Sequence, residues 1–150
     1  MEKTVTISIK GRQEFDNMPP DSMELVTQGT LQWESGVYTL TYQEGELTGM
    51  ENTQTTITVE HGGECVTLMR SGGYNSQMVF EEGRRHLSMY NTPYGAMAIG
   101  VNTRHLLAEL DEKGGCIEVD YTLEVEHAAV GRNAFQIKVK QAAPGGSLKQ

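Results

Sequence analysis

Three charged residues end stripes that are otherwise apolar. Glu44 follows Tyr38, Leu40 and Tyr42 at every second position, Arg70 follows Val66 and Leu68, and Glu82 follows Met78 and Phe80. Residues of one parity share a face of a strand. Each charge therefore faces the same way as its hydrophobic neighbours. Such a charge has two uses. It binds a polar group of a ligand at a cavity mouth, with the planar Arg70 fork as partner of a carboxylate or head group. Or it pairs with its neighbours and closes the end of the fold, with Glu44 or Glu82 neutralising Arg70. The second use is the commoner, because buried charges persist when paired.

Tyr38, Tyr42, Tyr90 and Tyr121 form a second set of interest. Inside a small barrel, tyrosines line a cavity and hydrogen-bond a ligand, or they fill the core and satisfy their hydroxyls internally. A barrel of about eight strands sits at the size where either outcome is open. Met23, Met69, Met78, Met89 and Met97 lie in the same alternating runs, where flexible thioethers suit an adaptable cavity or an irregular core.

Metal and covalent chemistry find little support. His61, His86, His105 and His127 show no His-x-His and no His-Glu-x-x-His spacing, and Cys65 and Cys116 form no Cys-x-x-Cys pair. No metal and no cofactor is expected. Ser71 lies in Arg-Ser-Gly-Gly, without the Gly-x-Ser-x-Gly of a nucleophile elbow. Asp111 and Glu112 are adjacent, so on a strand they point to opposite faces and do not form an acid/base pair. Gly72-Gly73 precedes a strand and not a helix, which excludes a phosphate loop. The expectation is a protein without enzymatic activity.

The elements that must hold these residues are strands. Val5, Ile7 and Ile9 alternate with polar neighbours, as do Met23 to Trp33, Thr55 to Val59, Met97 to Thr103, Ile117 to Val125, and Phe135 to Val139. His86, Ser88 and Tyr90 run opposite Leu87 and Met89, leaving the inward face of that strand open. Turn residues punctuate the runs at Pro19-Pro20-Asp21, Ser35-Gly36, Gly62-Gly63, Ser71-Gly72-Gly73, Glu82-Gly83, Pro93-Tyr94-Gly95, Lys113-Gly114-Gly115 and Val130-Gly131. Asn102 to Leu110 fits a short helix or a continuing strand equally well. Many strands in series give an antiparallel meander, and closing it into a barrel removes its adhesive edges. The prediction is all-β: a meander of about 8–10 strands closed into a barrel. One domain would span residues 1–141, with a flexible tail at 142–150.

The order of motifs resembles one bacterial family, the domain of unknown function 1934 (YwiB-like). The matching segments are Gly36-Val-Tyr-Thr-Leu-Thr-Tyr-Gln-Glu44, Leu68-Met-Arg-Ser-Gly72, Phe80-Glu-Glu-Gly83, Tyr90-Asn-Thr-Pro-Tyr-Gly95, and Leu110-Asp-Glu-Lys-Gly-Gly115 with Ile117 and Tyr121. They cover about residues 3 to 140. The resemblance implies a calycin-like, lipocalin-like β-barrel. It implies no activity and assigns no role to Glu44 or Arg70.

Composition narrows the partners. The 150 residues carry 12 Lys plus Arg against 20 Asp plus Glu, a net charge of −8. That balance argues against nucleic acid, whose phosphates need a basic face, and against an anionic membrane surface. No run approaches the roughly 20 apolar residues of a membrane span. Met1 to Lys10 alternates, unlike a signal peptide. Two distant cysteines suggest reduced thiols in the cytoplasm. Two readings follow: a barrel binding a small apolar or amphipathic ligand, or a filled barrel that acts in structure or protein interaction, with a homodimer as its simplest form.

Overall fold

The computed structural model describes residues 1–14, 19, 21–45, 52–73, 75–92, 95–126 and 128–142. Ten strands run through them: β1 (Glu2–Glu14), β2 (Asp21–Glu34), β3 (Val37–Gln43), β4 (Thr53–Glu60), β5 (Cys65–Gly72), β6 (Ser76–Phe80), β7 (Arg85–Thr92), β8 (Gly95–Asp111), β9 (Gly114–Val125) and β10 (Ala128–Gln141). Every pairing is antiparallel, and the order in the sheet is β6-β5-β4-β3-β2-β1-β10-β9-β8-β7. Chain neighbours are sheet neighbours, apart from β1 beside β10 and the two ends of the row. The alternation predicted this meander. Of the expected tail, 142–150, Ala142 N–H still donates to the Thr4 carbonyl at 3.2 Å, and residues 143–150 lie outside the described residues.

The sheet curls into a nearly closed barrel. Among the described residues no ladder joins β6 to β7, although they are consecutive in the chain. The turn between them pairs with β8 instead. Gly83 N–H donates to the Thr103 carbonyl (2.9 Å) and Thr103 N–H donates to the Arg84 carbonyl (3.2 Å). Across the seam, the Ser88 hydroxyl donates to the Gln77 carbonyl at 2.8 Å.

Asn102 to Leu110 is strand, not helix. A bulge between Thr103 and His105 inserts Arg104 into β8. Before it the inward residues are odd, with Val101 and Thr103 buried; after it they are even, with Ala108 buried and Leu106 half-buried. A one-residue insertion flips parity, so Leu106, Leu107 and Leu110 mimic helical spacing. In β7, Leu87 is 57% exposed, so His86 and Ser88, both half-buried, take the inner side.

Val5, Ile7, Leu31, Leu40, Ile57, Val66, Phe80 and Ile117 are fully buried and fill the barrel interior. Each such side chain is worth about 1.5–3 kcal/mol of hydrophobic burial. Close coiling has one steric requirement at Gly29 on the inner face of β2. A Cβ there would stand 2.5 Å from the Thr41 carbonyl oxygen and 2.7 Å from Ile7 Cδ1. Gly115 meets a different one. Its φ is +145°, and a Cβ would collide with the Glu109 carbonyl oxygen, so the β8–β9 turn accepts only glycine there.

Candidate functional site

Strand register builds two polar rows. Tyr42 pairs with Thr55, Thr55 with Arg70, and Arg70 with Ser76, a row that crosses β3, β4, β5 and β6. Glu44 lies one inward step beyond Tyr42, and its N–H donates to the Thr53 carbonyl at 2.8 Å, extending the ladder past β3. On the other wall, Thr103 pairs with Tyr121, Tyr121 with Asn133, Asn133 with Gln13, and Gln13 with Asp21. A cavity of about 370 Å³ lies between the rows. Tyr42, Glu44 and Arg70 line it from one side, Tyr121, Asn133 and Gln13 from the other, over an apolar floor that includes Leu25, Leu68 and Ile137.

Glu44 is the only buried charged residue among those described. The Thr55 hydroxyl donates to its Oε2, and Arg70 Nε stands 3.8 Å from the same oxygen. The pair is therefore ionic but not hydrogen-bonded by Nε. Glu44 Oε1, Arg70 Nε, Asn133 Nδ2 and Thr103 Oγ1 are all buried without a hydrogen-bond partner in the protein. A buried donor or acceptor left unmade costs about 1–3 kcal/mol, and three of these four belong to residues that line one cavity.

The tyrosines of the two rows are buried with different neighbours. Burial pushes the Tyr42 hydroxyl well above its ordinary range, and the adjacent Glu44 carboxylate pushes it further. Burial also raises Tyr121, while the Arg70 charge opposes the rise. Arg70 thus acts on tyrosines of both walls. Tyr121 packs with Phe80 and Phe135 in an aromatic trio, with ring centroids 5.0 Å apart for Phe80–Tyr121 and 6.3 Å for Tyr121–Phe135. This trio ties β6 to β9 and β10 beneath the cavity.

The structure thus gathers Glu44, Arg70, Tyr42 and Tyr121 into one site and leaves the other named residues elsewhere. Glu82 is exposed, because the chain turns at Gly83 and the alternation of β6 stops at Phe80. Its carboxylate accepts from Leu106 N–H at 2.9 Å and lies 3.5 Å from His105 Nδ1. It serves the strand just past the β8 bulge and does not neutralise Arg70. Tyr38 is half-buried opposite Val59, away from the cavity lining. Tyr90 belongs to β7, but its side chain lies outside the described residues, as do His127 and Tyr94. Asn133 and Thr103 are the additions. Asn133 carries the inward parity of Phe135, Ile137 and Val139 two residues upstream, so its signal was the alternation itself.

Elsewhere the polar groups satisfy one another. A larger groove of about 530 Å³ runs over the outer face past Lys10, Glu24, Glu118 and Asp120. These side chains already have partners: Lys10 pairs with Glu24 at 3.7 Å, Asp120 with Arg132 at 3.1 Å, and Glu118 accepts from Gln136 Nε2 at 3.1 Å. Exposed pairs of this kind contribute little to stability. Asp111 accepts from Lys113 N–H at 2.7 Å within its turn. His86 stands 2.7 Å from Glu81. Cys65 and Cys116 are free thiols, both raised in pKa chiefly by burial. Among the described residues, no group of three or more His, Cys, Asp and Glu is placed to hold a metal, and no helix is long and apolar enough to cross a membrane.

Residues 7–137 match the model of a family described as Domain of unknown function (DUF1934). The chain belongs to this family. The crystal structure of the ywiB protein from Bacillus subtilis has the same fold: TM-score 0.81, 22% identity, 95% of this chain and 94% of that one covered. No curated protein matches the chain. The family's description assigns no activity to any residue of the two rows.

Proposed function

We propose that this DUF1934 barrel is a non-enzymatic binding module that holds a small amphipathic molecule between its two polar rows. One observation carries the reading. A cavity of about 370 Å³, within the ordinary range for small-molecule sites, is lined by apolar side chains and by three polar residues whose inner atoms have no protein partner. A core built only for stability places buried polar atoms in complete networks. The family resemblance implies a calycin-like, lipocalin-like barrel, and we carry that implication into the same reading. The free thiols of Cys65 and Cys116 fit a reducing compartment, and we assign the protein to the cytoplasm.

Native mass spectrometry on the protein purified from its own host tests this. A co-purifying small molecule, lost in Arg70→Lys with the melting temperature retained, is the expected result. Lysine keeps the charge but removes the planar fork, so the fold keeps its ion pair while the ligand loses its anchor. A bare dimer mass would replace this reading with a self-associating barrel. Among the described residues the exposed large hydrophobics are Met1 at the N-terminus (84%), Val26 on β2 (68%), Leu87 on β7 (57%) and Met69 on β5 (44%), and no two of these three strands are neighbours in the sheet.

A further inference from the structure

The bonding groups left open in the cavity define a ligand pattern. Glu44 Oε1 offers only an acceptor, while Arg70 Nε and Asn133 Nδ2 offer only donors. Glu44 and Asn133 are 7% and 6% exposed, so neither exchanges its missing partner freely with bulk solvent. A molecule that completes this set needs a donor for Glu44 and acceptor sites for Arg70 and Asn133, close enough together to fit one cavity.

Charge narrows the class further. Glu44 and Arg70 already balance each other across 3.8 Å. A carboxylate ligand would take Arg70 for itself and leave Glu44 as an uncompensated buried anion. An ammonium ligand would do the reverse. Stranding Glu44 is the costlier of the two, since its side chain is 1% exposed against 22% for Arg70. A neutral ligand leaves the pair intact. The walls select shape: Tyr121 and Phe135, edge to face with each other at 6.3 Å, border the cavity beside Leu25 and Leu68, an aromatic surface suited to a flat ring.

Resting on the binding function proposed above, we propose that the ligand is an uncharged planar ring carrying an N–H next to a C=O, the lactam or ureide pattern. The N–H donates to Glu44 Oε1. The C=O, with two acceptor sites, accepts from Arg70 Nε and from Asn133 Nδ2. The ring lies against Tyr121 and Phe135. A fatty acid, whose single polar group is an anion, is the wrong class.

Isothermal titration calorimetry with three probes tests the pattern on the wild-type chain: isoquinolinone, its N-methyl derivative and octanoate. Isoquinolinone is expected to bind at least tenfold more tightly than either of the others, since methylation removes only the donor. Asn133→Leu, which leaves Glu44 and Arg70 in place, is expected to weaken isoquinolinone about tenfold. Equal binding of the methylated probe, or tighter binding of octanoate, overturns the lactam class while leaving a ligand-binding barrel standing. No binding by any probe overturns the class as well. The broader function then stands or falls on the co-purified mass alone, so the two failures are told apart.

Discussion

The two ends of the barrel are built from the same strands and the same inward parity, yet they solve opposite problems. At one end, Val5, Leu31, Leu40, Ile57, Val66 and Ile117 pack with no exposed surface and no polar atom to satisfy. At the other, Tyr42, Glu44, Arg70, Tyr121 and Asn133 continue those stripes with polar groups, three of which carry an inner atom without a partner. The first end obtains stability from burial alone. The second gives stability up: each open group costs about 1–3 kcal/mol, and nothing in the fold requires polar side chains there. The difference teaches that stability resides at the packed end, and the proposed function places selectivity at the polar end, so substitutions at the two ends should separate cleanly.

The largest effect is expected where the packed end has no room. Gly29→Val places a branched side chain 2.5 Å from the Thr41 carbonyl and against Ile7. Backbone on one side and a fully buried isoleucine on the other leave little scope to yield. The variant is expected to lose at least about 4 kcal/mol or to fail to accumulate as folded protein. Urea unfolding followed by tryptophan fluorescence checks this, because Trp33 shares the strand. A Gly29→Val protein as stable as wild type would show that the coil of β2 is slack and that the packed end is not the source of stability.

How much of this contrast could be read in the chain follows from parity. Alternation placed Tyr42, Glu44 and Arg70 on inner faces because β3, β4 and β5 keep an unbroken period of two. It failed at Glu82, where the turn begins one residue after Phe80, and at Asn102 to Leu110, where Arg104 shifts the period. Both failures have the same cause. A pattern of period two reports which face a residue takes only while no residue is inserted, and bulges and turns are set by pairing with distant strands such as β9. Nor could the chain show that Tyr121 and Asn133 face Arg70, since that depends on how far the sheet curls. The family resemblance supplied the barrel but no partner for any of these side chains.

A smaller effect breaks the comparison at its polar end. Arg70→Met strands Glu44, a carboxylate side chain only 1% exposed, and is expected to cost about 3 kcal/mol. Glu44→Met/Arg70→Met removes both charges and puts unbranched apolar side chains in their place. It is expected to recover most of that loss, ending within about 1 kcal/mol of wild type or above it, while ligand binding stays abolished. Thermal unfolding of the single and double variants measures the difference. A double variant less stable than Arg70→Met would mean that the pair holds the barrel end together, and the polar end would then be structural like the other.

The smallest effect depends on pH and sharpens the contrast to a single hydroxyl. Tyr42 keeps its proton in the folded state to a higher pH than in the unfolded chain, first because it is buried and then because Glu44 repels a second negative charge. The unfolded chain releases that proton near the usual tyrosine value of about 10. Above this pH the unfolded state binds fewer protons than the folded one, so stability falls as pH rises. Below it the contribution is constant. Tyr121, also raised by burial, adds to the same slope. Tyr42→Phe is therefore expected to match the wild-type pH dependence of unfolding up to about pH 9.5 and to lose stability less steeply between about pH 10 and 11. Identical slopes for the two proteins would show that Tyr42 does not hold its proton against Glu44 and that the polar end is wetter than its burial implies.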